Sequence, residues 1–132
     1  MNQEVHPLLA LAKQGASQAY APYSKFQVGA GLKTKDGQTF LGCNVENVSY
    51  GLGLCAERNA ITTAVANGAK PGDLVELVIF VDGEELISPC GACRQVISEF
   101  MKQDAPVSTF NNKGVQKTWT VAELLPDGFV LP

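Results

Sequence analysis

The chain has 132 residues, of which 45% are apolar and 17% charged, with 10 Lys+Arg against 13 Asp+Glu. That composition excludes a disordered chain, and the length suffices for one hydrophobic core without disulfide staples. The net charge of −3 argues against tight binding to a nucleic-acid polymer, which depends on clustered Lys and Arg.

No apolar run approaches the roughly 20 residues needed to span a membrane. Residues 1–13 hold a short apolar patch at 8–12, but Glu4 precedes it and no basic region leads it, so this does not read as a signal peptide. The expectation is a cytoplasmic protein with a single domain over residues 1–132, free of membrane contact.

Residues 7–20 carry Leu8, Leu11, Ala12, Ala16 and Ala19 at helical spacing, with Pro7 in the first turn. The stretch 21–24 breaks that pattern. Residues 26–34 alternate Phe26, Val28, Ala30 and Leu32 against Gln27, Gly29, Gly31 and Lys33, the period of a strand. Asp36-Gly37 signals a hairpin turn, and 39–45 reads as the return strand. Residues 55–67 are rich in helix formers, with Gly68 at the position of a C-terminal cap. A buried strand is expected over 74–81, a helix over 91–101, and strands over 106–110 and 117–121. Strands alternating with helices imply an α/β sandwich, its parallel part running from Leu74 onward.

The chain has four cysteines and one histidine, His6. Cys90-Gly91-Ala92-Cys93 is a CxxC preceded by Pro89, and Cys55-Ala56-Glu57-Arg58 lies 35 positions upstream of it. A CxxC alone fits a redox pair or half of a structural zinc site. Cys-Ala-Glu combined with Pro-Cys-x-x-Cys is more specific, because zinc deaminases use that combination. Each motif falls at the start of an expected helix, where the helix dipole favours the thiolate that zinc needs. Cys90 and Cys93 lie one helical turn apart. Three protein ligands leave the fourth tetrahedral position to water, the mark of a catalytic site. Glu57, in the same first turn as Cys55, is placed to shuttle protons. Arg58 and Arg94 are candidates to donate hydrogen bonds to the sulfurs and offset their charge, with Arg94 equally readable as a helix-surface charge. Cys43 reads as a small buried hydrophobe and His6 as a solvated terminal residue.

These residues resemble the cytidine deaminase family in its short-chain form, over nearly the whole chain. The resemblance rests on Tyr23-Ser24-Lys25-Phe26-Gln27-Val28-Gly29-Ala30, Gly42-Cys43-Asn44-Val45-Glu46-Asn47 with Ser49-Tyr50-Gly51-Leu52, the two cysteine motifs, and Leu124-Leu125-Pro126 followed by Phe129. It implies a three-layer α/β/α sandwich around a mixed five-stranded sheet. Cys55, Cys90 and Cys93 would hold catalytic zinc (Zn2+), and Glu57 would move protons. The backbone of Ala56 and Cys90 would lie near the base and Phe26 would pack against it, while Asn44 and Glu46 would hydrogen-bond the ribose hydroxyls. Tyr50 and Phe129 would complete the pocket of a neighbouring subunit in a homotetramer.

From the residues alone, Phe26 reads equally as core, and Asn44 and Glu46 as turn and surface groups. The activity implied is hydrolytic deamination of cytidine and deoxycytidine in pyrimidine salvage. Its competitors are deamination of a related aminated nucleoside, such as a cytosine-nucleoside antibiotic, and a non-catalytic zinc-binding module. Editing of polynucleotide cytosine is disfavoured by the small size and the charge.

Overall fold

A computed structural model describes residues 6–129 and 131. In chain order the elements are α1 (Pro7–Ser17), β1 (Val28–Thr34), β2 (Thr39–Cys43), a single 3-10 turn (Tyr50–Leu52), α2 (Ala56–Ala66), β3 (Leu74–Val81), α3 (Gly91–Phe100), β4 (Pro106–Phe110), β5 (Gln116–Thr120) and α4 (Val121–Leu124). The strands form one sheet in the order β2-β1-β3-β4-β5. β1 runs antiparallel to both β2 and β3, β3 and β4 are parallel, and β5 is antiparallel to β4. The parallel part is therefore a single pair. The helix α3 carries the chain from β3 to β4, whereas a tight turn through Gly114, at φ 81°, reverses it into β5.

The sheet is covered on both faces, which makes three layers. Helix α1 packs Leu8, Ala12 and Ala16 against Val78, Phe80 and Phe110. On the other face Ala60, Ile61 and Ala64 of α2 and Cys93 and Ile97 of α3 meet Leu32, Leu77, Ile79, Val81 and Val107. Of the positions expected to face solvent in β1, only Lys33 does: Gly29 and Gly31 are buried like their apolar neighbours. A Cβ on Gly29 would overlap the Ala12 carbonyl, so the glycines let α1 lie close against the strand. Gly42 does the same for α2, since a Cβ there would lie 2.5 Å from Ala56 O and Ala60 N.

Three local expectations change. β1 starts at Val28 because the Asn44 side chain takes the chain just before it, donating to Phe26 O at 2.8 Å and accepting from Val28 N at 3.0 Å. The last strand stops at Thr120, which opens α4 through a capping box: Thr120 Oγ accepts from Glu123 N, and Glu123 accepts from Thr120 N. His6 is not a free terminal residue. Its Nδ1 accepts from Leu8 N at 3.1 Å and caps α1, which leaves Nε2 to donate to Glu76 of β3 at 2.8 Å. Among the described residues, no helix is long and apolar enough to cross a membrane.

Candidate active site

Two helix N-termini converge on one point. Cys55 is the N-cap of α2, Cys90 is the N-cap of α3, and Cys93 lies in the first turn of α3. Their sulfurs all lie within 4.8 Å of one another, with Cys55 Sγ and Cys90 Sγ 3.9 Å apart. Zinc–thiolate bonds of about 2.3 Å in a tetrahedron place sulfurs roughly 3.8 Å apart, so the donor set fits a zinc ion. Cys93 is fully buried, Cys55 half-buried and Cys90 exposed, so the cluster opens to solvent on the Cys90 side. Cys55 and Cys93 are pushed in opposite directions. A hydrogen bond from Cys93, helped by the Arg58 guanidinium, brings Cys55 down to about 5, while the same bond and burial push Cys93 up.

Glu57 follows in the first turn of α2 and is only 5% exposed. Burial pushes its carboxyl up to about 7, and the Cys55 thiolate adds to the rise. A carboxyl poised there both gives and takes protons near neutral pH. Arg58 donates from Nη2 to Cys55 Sγ at 3.4 Å, and the thiolate in turn raises the affinity of Arg58 for its proton. Its Nε is buried without a hydrogen-bond partner among the described residues.

Arg94 takes a different place from the one expected of a sulfur donor. Its Nε donates to Pro89 O at 2.8 Å and its Nη1 to Leu124 O at 3.0 Å. The guanidinium reaches back along α3 to the turn before Cys90, as a helical side chain leans toward the N-terminus, and is held there by carbonyl groups.

The other polar candidates, Asn44 and Glu46, lie in the loop between β2 and α2. Val45 and Leu54 exchange backbone hydrogen bonds of 2.9 Å in an antiparallel bridge, which closes this loop immediately before Cys55. Glu46 Oε1 accepts from Tyr23 N at 2.9 Å and Ser24 N at 3.1 Å, and Oε2 accepts from the Ser24 hydroxyl. These donors, the Ser24 hydroxyl first, hold the Glu46 carboxyl below its usual range, so it stays an ionised acceptor. Glu46 lines a cavity of about 360 Å³ with Tyr23, Ser24, Asn47, Tyr50 and Gly53. Asn44 spends its oxygen on Val28 N at the start of β1 and one N–H on Phe26 O just before it, and keeps the second N–H.

The family model described as the cytidine and deoxycytidylate deaminase zinc-binding region matches residues 2–109. The chain belongs to the cytidine and deoxycytidylate deaminase family. Within that family it is 47% identical to a cytidine deaminase of Sporosarcina psychrophila over 126 residues, covering 96% of this chain and 91% of that one. A cytidine deaminase of Halalkalibacterium halodurans is 45% identical, covering 92% and 91%. Among solved structures, a cytidine deaminase from Burkholderia pseudomallei superposes with a TM-score of 0.91 at 46% identity, covering 96% of this chain and 100% of that one.

Not every residue singled out from the deaminase motifs comes together within one chain. Ala56 is fully buried at the head of α2. Phe26 is partly buried against the main core and lies beside Gly83. Tyr50 is 81% exposed, with its ring edge-on to Tyr23 at 6.3 Å. Phe129 is 73% exposed and lines a separate cavity with Pro71, Gln95, Ser98 and Glu99 along α3. Sequence reasoning missed Asn59, whose Oδ1 accepts from Cys43 N at 2.9 Å and ties the zinc-motif helix to the end of β2. An asparagine in a helix interior, where its side chain ordinarily competes with the backbone, was the signal for such a bond.

Proposed function

We propose that this chain is a zinc-dependent hydrolase that converts cytidine and deoxycytidine to uridine and deoxyuridine with release of ammonia. The observation that carries the reading is Glu57, buried and poised near pH 7 beside three convergent sulfurs. Cys55, Cys90 and Cys93 would hold the ion, whose contribution when bound is to make hydroxide available near neutral pH. Glu57 takes a proton from the attacking water and passes it to N3 as the oxygen adds to C4. It then carries the proton of the new hydroxyl to the departing amine, the C4–N4 bond breaks, and ammonia leaves a C4 carbonyl behind. The free N–H of Asn44 and the ionised Glu46 suit ribose hydroxyls as donor and acceptor, and Arg58 offsets the charge of the thiolates.

The wider reading is of one catalytic domain over residues 1–132, acting in cytoplasmic pyrimidine salvage. It would work as a homotetramer in which Tyr50 and Phe129 reach a neighbour's pocket, their high exposure supporting that role. Metal analysis together with an ultraviolet assay for loss of cytidine tests the reaction. One zinc per chain with turnover is expected. Stoichiometric zinc without turnover of any aminated nucleoside would leave a binding module, and turnover confined to a nucleoside antibiotic would move the substrate.

A further inference from the structure

We propose that Arg94 is a positioning residue that braces the turn before Cys90 against the C-terminal end of α4, so that zinc retention and order in residues 121–129 are coupled. The inference rests on the reading of the three cysteines as a zinc site. Residues 82–90 have no regular secondary structure, and Cys90, an exposed residue, stands at the end of that stretch. Pro89, the residue before it, is buried, has no N–H, and offers only its carbonyl to hold the turn. Arg94 takes that carbonyl at 2.8 Å.

The other end of the brace answers a second need. Helix α4 has four residues, too few to satisfy its last carbonyl groups internally, and Arg94 takes the Leu124 carbonyl at 3.0 Å. One planar guanidinium thus joins two carbonyls from segments 35 positions apart in sequence (Pro89 and Leu124), and the chain runs on from Leu124 to the exposed Phe129. A lysine carries one point charge and cannot span both carbonyls in the same fixed geometry. The coupling is reciprocal: whatever fixes Cys90 steadies α4, and whatever steadies α4 fixes Cys90.

The test compares Arg94→Lys and Arg94→Gln with wild type, each loaded with zinc and checked for folding by its melting transition. Zinc release to a chromophoric chelator should be about tenfold faster in both variants. Lysine should not rescue, because a bridge and not a charge is what is lost. Hydrogen exchange of the peptide over 121–129 should speed up in wild type when zinc is stripped, and should be fast in Arg94→Gln with or without the ion. Folded variants that release zinc at the wild-type rate would overturn the brace, as would full rescue by lysine or exchange over 121–129 that ignores zinc in wild type. Wild-type protein that binds no zinc would overturn the metal reading itself, a result distinct from any of these.

Discussion

Glu57 joins two opposing demands: it must be buried to hold a proton near neutral pH, yet it must meet the substrate. Glu57→Gln keeps the shape and removes the proton. We expect it to retain zinc and to lose roughly two to four orders of magnitude in deamination rate; a near-normal rate would remove Glu57 from the chemistry. The raised carboxyl also marks the stability of the metal-free protein. Its folded value of about 7 lies above the ordinary 4.5, so the folded chain keeps a proton that the unfolded chain has released. The stability that Glu57 contributes is therefore full below pH 4.5 and falls as pH rises toward 7. Cys55 acts in the opposite sense, because its thiol is brought down to about 5 and its contribution is lost as pH falls toward that value. Denaturant unfolding of metal-free wild type and Glu57→Gln separates the two: the variant should gain relative to wild type between pH 4.5 and 7, and a constant difference would contradict the assignment. Arg58→Gln should weaken zinc binding about ten- to a hundredfold, measured by competition with a chelator, because it removes the donor at 3.4 Å from Cys55.

The elements work by bringing backbone to backbone. Helix α2 sets Cys55 and Glu57 only because Gly42 of β2 lets Ala56 and Ala60 approach the strand. Gly42→Ala should cost about 1–3 kcal/mol in denaturant unfolding, since the intruding methyl faces backbone and not a flexible side chain tip. The same substitution should lower zinc affinity, because the helix that must move carries a ligand at its N-cap. Helix positions were legible in the sequence because a 3.6-residue period and the cap residues are local: Cys93, Ile97 and Met101 recur every fourth position, and all three are buried. The end of β5 was less so. Thr120-Val121-Ala122-Glu123 carries the capping-box signature, but the β-branched and aromatic run Thr118, Trp119, Thr120 and Val121 made its start read as strand.

The whole molecule leaves an apolar rim on the loop that leads to the cysteines. Val48 is 78% exposed, Tyr50 81% and Leu52 71%, a grouping that ordinarily marks a contact surface. If that rim packs against neighbouring copies in the homotetramer proposed above, light scattering should report four times the 14.0 kDa of one chain. Leu52→Asp should lower that mass and raise KM for cytidine while zinc content stays at one per chain. A fully active monomer would refute the shared pocket.

What the sequence determined by itself is local. Cys55 and Glu57 in one first turn, Cys90 and Cys93 one turn apart, the hairpin at Asp36-Gly37 and the cap at Gly68 all follow from residue spacing and backbone preference. The tertiary structure alone decided the partners that lie far apart in the chain. His6 reaches Glu76 across 70 positions, Glu46 collects its donors from Tyr23 and Ser24, and Arg94 turns from sulfur to the carbonyl of Leu124 across 30 positions. The physical reason is the reach of each interaction. A helical turn is set by neighbours three or four residues away, whereas a long polar side chain takes whichever acceptor the packed layers bring within hydrogen-bonding distance.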